Sequence, residues 1–382
     1  MMTTKTCVWM LAAGFAAAGA MADPVISQVT VRQRWPWSRL VDIDYVLTHD
    51  TDDPVDVALD ASDGVTPLAL PSESLTGDII GVTRGARRII WDPTVTAYTN
   101  DQVLTKFSVE LTPVKPPLYM IVDLTNSSGA PSAVQYLYEE DLASGAWGTV
   151  ETNPVPGIVS MAWTGVTNSA VYKTDKLVLR RVRDFYVGVF EWTQGQYKNI
   201  NGSFNSYATY SNEIDRAVHP EHMIPCGVVR GMPGDTPPVD WPETGSYVRP
   251  AGQLGLLRAK SKLMFDLPSS EQWEYACRAG TTTLFNNGSN ADTALDELGW
   301  YNGNAGGSTR EVGLLKPNAW GLYDMHGNVA EFCLDWFDAT TRVRRNGAYN
   351  GAASNSRVTY MSGVPQANRH SDLGYRVVLN LR

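Results

Sequence analysis

Cysteine is scarce in this chain, with four among 382 residues, and that scarcity excludes a disulfide-stapled scaffold. Cys7 falls in a leader-like segment, so Cys226, Cys277 and Cys333 remain. An odd set of thiols permits at most one internal pair, and the spacings match no zinc pattern. Positive charge is in deficit, with 31 Lys and Arg against 40 Asp and Glu, a formal balance of −9. Without any basic run, that balance argues against nucleic acid as a partner. A membrane span is missing too, because the apolar run from Cys7 to about Ala18 is too short to cross a bilayer.

That run follows a single lysine, Lys5, and precedes Ala20-Met21-Ala22, the layout of a secretory signal peptide with its A-x-A cleavage site. Residues 1–22 are therefore expected to be removed, giving an exported product with a periplasmic, cell-surface or extracellular location. Loss of Lys5 alone takes the balance from −9 to −10. What the chain has in quantity is tryptophan, tyrosine and glycine, 12, 17 and 33 residues. The rest of the chain is long enough for two cores.

From Asp23 to about Pro113 the pattern is of short alternating runs between turn residues. Ile26–Val31 and Leu40–Val46 alternate at period two. Val55–Leu59, Arg88–Trp91 and Phe107–Leu111 are further strands, with turns at Asp50–Pro54 and around Gly85. These runs predict an all-β immunoglobulin-like sandwich over residues 23–113. It reads either as a spacer or docking module, or as a carbohydrate or cell-wall binding face using Trp35 and Trp37. The proline cluster Pro113-Val-Lys-Pro-Pro117 predicts the boundary, since clustered prolines stiffen a linker and interrupt a ladder. Residues 114–174 read as linker and lead-in, with a buried-strand run at Leu118–Leu124.

Farther on, Ser269 with Gln272 three residues later forms a capping box, and Trp273, Ala276 and Cys277 share one face. A helix is expected there, stopped at Gly280. The most informative stretch is WGLYDMHGNVAEFCLDW, Trp320 to Trp336. Asp324 and Glu331 flank the Gly327-Asn328 pair, which can turn backbone carbonyls inward. Carboxylates with carbonyls suit a hard cation such as calcium, while a solvated turn is the plainer reading of the same residues.

Four separated blocks resemble, in order, the formylglycine-generating enzyme or sulfatase-modifying factor family: FYVGVFEWTQGQY at 185–197, FDLPSSEQWEYACRAGTT at 265–282, LGWYNGNAGGSTREVGLLKPNAWGLYDMHGNVAEF at 298–332, and RVRRNGAYN with LGYRVVL near the end. The resemblance covers about residues 175–382. It implies an α+β, C-type-lectin-like formylglycine-generating-enzyme fold with little regular secondary structure. It also implies a calcium ion held by the side chains of Asp324 and Glu331 and the carbonyls of Gly327 and Val329. A second family calcium site starts at the position of Asn302, but the chain is shortened after it, so its remaining ligands do not carry over.

Active members of that family oxidise a substrate cysteine with copper held by two cysteine thiolates, which follow a Gly-Gly-Ser-Tyr/Trp segment. Here that segment is Asn346-Gly-Ala-Tyr349, and the thiolate positions are Gly351 and Ser356. Copper is therefore not expected, because Cu(I) prefers soft thiolates and neither residue supplies one. Cys277 and Cys333 read as structural, and His219 with His222 as a surface turn around Pro220. The leading expectation is a calcium-stabilised binding module for a protein, peptide or glycan. An active oxidoreductase maturing sulfatases, and a surface adhesion or structural protein, are the alternatives. The residues Asn346, Tyr349, Asn350, Ser354, Asn355 and Ser356 resemble the hypervariable ligand face of lectin-fold proteins.

Overall fold

The computed structural model describes residues 23–381 apart from 65, 97–105, 127–131, 156–157, 208–212, 233, 236–238 and 240–246. The leader expected at 1–22 lies outside the described residues. Among the described residues no helix is long and apolar enough to cross a membrane.

The N-terminal region is a pair of antiparallel sheets. Strands β1 (Val25–Gln33), β2 (Val41–Thr48), β5 (Leu75–Gly77) and β6 (Gly85–Trp91) form the first, ordered β1-β2-β6-β5. Strands β3 (Asp56–Ser62), β4 (Pro67–Leu68) and β7 (Ser108–Val114) form the second, ordered β4-β3-β7. Alternation decides which side chains face inward: Val41, Ile43, Tyr45 and Leu47 of β2 meet Ile89 and Trp91 of β6 and Val57 of β3 in one core. The five strands expected from the alternating runs are all present.

The expected proline cluster Pro113–Pro117 spans the end of β7 at Val114 and the start of the connection to the next strand. Pro113 pairs with Val57 inside β7, which is tolerated because β7 is an edge strand and a missing donor can face outward there. The chain then turns through Lys115–Leu118 directly into β8 (Tyr119–Asp123). What the sequence offered as a lead-in is part of the second fold. Together with β9 (Val134–Leu137), β8 completes a five-stranded sheet with β12 (Lys176–Val182), β13 (Phe185–Gly188) and β18 (Val378–Asn380). Its order, β18-β13-β12-β8-β9, brings the last strand against strands from the middle of the chain. The hairpin β10 (Glu151–Val155) and β11 (Ile158–Ala162) stands beside it.

A second sheet, ordered β16-β15-β14-β17, is built from β14 (Ala330–Trp336), β15 (Thr341–Arg345), β16 (Met361–Pro365) and β17 (Leu373–Gly374). The helix Ser270–Arg278 packs onto it. Ser269 Oγ accepts the Gln272 amide, and the Gln272 side chain accepts the Ser269 amide in return. The helix ends on two left-handed residues, Ala279 and the expected Gly280, with φ of 43° and 88°. Trp273 and Cys277 bury against Leu322, Cys333 and Val343. A second core, with Leu177, Leu179 and Tyr186 of the five-stranded sheet, receives Leu254 and Leu257 from the helix Gln253–Ser261.

The two halves meet through Asp56. Its carboxylate takes both Arg181 guanidinium nitrogens, at 2.5 and 3.1 Å, and the Gly81 amide at 3.0 Å. Arg181 is almost fully buried, so removing its partner leaves a desolvated charge. Asp56→Ala is expected to lower stability to urea by about 2 kcal/mol, the scale of a charged hydrogen-bond pair. An unchanged unfolding midpoint would mean that the halves do not depend on this contact.

Candidate functional site

The loop from Trp320 into β14 is irregular, and its shape is set by residues that tolerate left-handed backbone. Asp324, Gly327 and Asn328 have φ of 56°, 84° and 61°. A Cβ at Gly327 would lie 2.2 Å from the Trp300 carbonyl oxygen, so only glycine fits. Asn318 holds the start of the loop, its Oδ1 accepting the amides of Trp320 and Leu322 and its Nδ2 donating to the Ala276 carbonyl.

Three carboxylates and one guanidinium lie beneath this loop. Glu331, fully buried, accepts from Trp273 Nε1 at 2.7 Å and from Arg376 at 3.0 Å. Arg376, also fully buried, donates further to the carbonyls of Gly188 and Tyr323. Glu191 accepts from Asn328 Nδ2 at 2.6 Å and from the Val329 amide at 3.0 Å. Asp324 Oδ2 accepts the Gly313 amide at 2.7 Å, while its Oδ1 is buried with no hydrogen-bond partner. Burial first, then the neighbouring carboxylates, pushes Glu191 well above the usual carboxylate range. Burial likewise pushes Asp324 up to about 6.

A fifth residue, from β15's far end, closes the arrangement. Asn346 Nδ2 donates to the carbonyls of Gly327, Val329 and Asp324, at 2.8, 3.3 and 3.3 Å. Its Oδ1 accepts the amides of Gly327 and Gly347 at 2.6 and 2.8 Å. The carbonyls of Gly327 and Val329 therefore face an amide nitrogen, and Glu331 faces a guanidinium and an indole. Of the donors expected for calcium, Asp324 Oδ1 alone is without a partner. As arranged, these residues do not fit a calcium ion shared by Asp324, Gly327, Val329 and Glu331, which would require Asn346 and Arg376 to withdraw.

Residues 151–381 match the family model of the sulfatase-modifying factor enzyme 1-like domain. The chain belongs to this family. It is similar to a chaperone protein LppX of Paenibacillus barcinonensis, 25% identical over 227 residues, covering 51% of this chain and 80% of the relative. Among solved structures it is similar to the Treponema denticola variable protein 1, at 22% identity and a TM-score of 0.40, covering 61% of this chain and 99% of that one. It is also similar to PvdO from Pseudomonas aeruginosa, at 18% identity and a TM-score of 0.40, covering 53% and 83% of the two chains.

Within this sulfatase-modifying-factor-like domain, the expected copper positions carry no sulfur. Gly351 is partly exposed, its carbonyl accepting the Asn302 amide, and the Asn302 side chain is on the surface, away from the buried carboxylates. Ser356 is buried, and its carbonyl accepts from His326 Nδ1 at 2.6 Å. Since His326 Nε2 accepts the Asn286 amide, this ring is held as the neutral Nδ1-protonated tautomer, and burial lowers its pKa to about 4. Cys226, Cys277 and Cys333 are all free and buried. Burial raises the Cys226 thiol to about 12 and pushes Cys277 and Cys333 up as well, so none is poised as a thiolate.

The VHPEH segment differs from its expected surface turn. Glu221 is fully buried and His222 nearly so, because the Glu221 amide donates to the Trp192 carbonyl and Thr193 bridges to Pro220. Glu221 Oε1 accepts from Asn205 at 2.6 Å, while Oε2 has no partner. Sequence reasoning missed Glu191, Glu221 and Arg376, and it placed Asn346 on a ligand face although the residue is buried. The one available signal was a charged residue inside an otherwise apolar run, as in FYVGVFEW and LGYRVVL.

Burial raises the Glu221 carboxyl from its ordinary 4.5 to about 8. Only the folded chain binds this proton between those values, so its contribution to stability is complete below about pH 4.5 and lost as pH rises through about 8. Glu221→Gln should remove on the order of 4 kcal/mol of this pH dependence, read as the difference between urea unfolding of the two proteins at pH 5 and pH 9. Parallel profiles for both would place the proton elsewhere.

Proposed function

We propose that this chain is an exported binding protein whose C-terminal domain keeps the family scaffold without its copper oxidation. The observation that carries this reading is the pair Gly351 and Ser356 where two thiolates belong, together with thiols that burial keeps protonated elsewhere. A glycine offers copper nothing, and a buried serine hydroxyl is a hard, poor ligand. Ligand contact falls to the surface above the rigid loop, where Asn302, Asn350 and Ser354 are exposed and Tyr349 and Asn355 half-buried. Asn346 and Ser356 are excluded from this face because they are buried. Variation on that surface need not disturb the packed residues beneath it. The similarity to a protein named a chaperone is compatible with a role in binding.

The N-terminal sandwich, with four strands facing three, serves in this reading as an immunoglobulin-like docking module. Trp35 and Trp37 are exposed between β1 and β2, where they could meet a glycan. In the C-terminal domain, the Asn346 amide takes over the part that the resemblance gives to calcium, drawing the Gly327 and Val329 carbonyls together.

Two measurements test these statements. The unmodified protein should show no tight Cu(I) binding in competition with a chromogenic chelator, and should leave the thiol of a sulfatase-type cysteine peptide intact. Turnover above a metal-free control would overturn the non-oxidising reading. In the second, melting should be insensitive to chelator, while Asn346→Gly should lose about 2 kcal/mol from unmade buried hydrogen bonds and recover part of it with added calcium. A melting temperature of the unmodified protein that falls with chelator and returns with calcium would show that a metal, not the amide, holds the loop.

A further inference from the structure

Between the sandwich and the five-stranded sheet lies a cleft of about 290 Å³, which the loop discussed above reaches at its first residue, Trp320. The sandwich contributes His49, Pro54 and Val55; the C-terminal domain contributes Arg180, Met161 and Trp320. Arg180 is decisive. It sits on β12 with only 5% of its surface exposed, and its Nε and Nη1 have no hydrogen-bond partner. The guanidinium lies over the Tyr119 ring, 5.0 Å from its centroid, with the Tyr119 hydroxyl within its reach, so that Nε and Nη1 are the atoms left unmatched. His49 Nδ1, on the opposite wall, is also buried without a partner.

Buried guanidinium groups are ordinarily paired, because an unmatched charge out of water costs several kcal/mol. The neighbouring buried cation follows that rule: Arg181 pairs with Asp56. Among the acidic residues of the cleft, Asp52 pairs with Arg84, Asp53 accepts from the Thr51 hydroxyl, and Glu139 and Glu140 are exposed at the rim. No acid among the described residues forms an ion pair with Arg180, so its donors face the cleft unmatched.

We infer that this cleft binds a small carboxylate with an apolar body, the carboxylate meeting Arg180 and the body lying on Met161, Val55 and Trp320. A flat guanidinium fork matches a carboxylate in two parallel hydrogen bonds. The acidic rim disfavours a phosphate or polyanion, which would bring more negative charge past Glu139 and Glu140. The volume equals about ten waters at roughly 30 Å³ each, which suits a ligand of about that many non-hydrogen atoms. Such a ligand could be a free organic acid or the C-terminal residue of a peptide. Clefts at domain junctions are frequent binding sites, and a ligand here would also fasten the two halves together.

The test uses the full mature chain and calorimetric titration with benzoate, benzamide, N-acetylphenylalanine and inorganic phosphate. Benzoate is expected to bind saturably and at least tenfold more tightly than benzamide. Arg180→Gln should weaken benzoate at least tenfold. Because Arg180 lies in a central strand and that variant could misfold, Pro54→Trp offers an independent check: it fills the mouth of the cleft from the sandwich side and should block benzoate with the sheet untouched. Tighter binding of N-acetylphenylalanine than of benzoate would identify a peptide terminus as the source, and the reverse a free acid. Equal binding of benzoate and benzamide, full affinity in either variant, binding of phosphate alone, or no saturable binding of either carboxylate would overturn the inference.

Discussion

The buried ion pair between Glu331 and Arg376 is the constraint on which the C-terminal domain depends. Neither side chain is exposed, and the guanidinium also satisfies the carbonyls of Gly188 and Tyr323. One residue near the C-terminus thus joins the end of β13, the irregular loop and the first turn of β14. Such a pair is weak evidence for net stability, because desolvation of both charges offsets much of their attraction. What it supplies is register: any other threading of β18 against β13 would leave a carboxylate in the core without a cation. Glu191 and Asp324 share that same core, and burial first, then the neighbouring carboxylates, raises their pKa values.

This dependence explains what could be read from the chain beforehand. The strands of the sandwich were legible because alternation is a local signal, and so was the helix Ser270–Arg278, whose capping box is complete within four residues. The loop from Asp324 to Glu331 was legible as a structured turn because Gly327 and Asn328 take left-handed backbone. Its partners were not, since Asn346 lies 19 residues beyond Gly327 and Glu191 lies 138 residues before Val329. No periodicity encodes a contact of that kind. Pro113 itself lies within a strand for a different reason: a proline ends a ladder only if the strand is central, and edge position is a tertiary property.

In the reading proposed above, Asn346 keeps the family scaffold by doing a metal-like task with a side chain. An asparagine amide carries donors and an acceptor on one plane, so it can draw carbonyls together on one side and receive amides on the other. The residue stands where the family segment has a glycine, and its φ of 71° is a conformation that glycine adopts freely and asparagine tolerates. At the same end of the domain, Gly347 is packed so closely that a Cβ would lie 2.3 Å from Ser356 Oγ. Packing of this kind leaves little room for adjustment around the positions where sulfur ligands would have to converge.

The junction between the two halves follows the opposite rule from the loop. Around Glu331 nearly every buried polar atom is matched within the chain, whereas at the junction Arg181 is matched by Asp56 while its neighbour Arg180 is not. Both arginines lie on β12, one residue apart, so strand geometry sends them to opposite faces of the sheet. Arg181 reaches Asp56 of the sandwich, while Arg180, which lines the same cleft, has no acid partner among the described residues. A strand that needed only to hold the halves together would be served by one charge. The second places an unmatched cation against an apolar wall, an arrangement that costs stability until an anion arrives and that therefore belongs to recognition more than to folding.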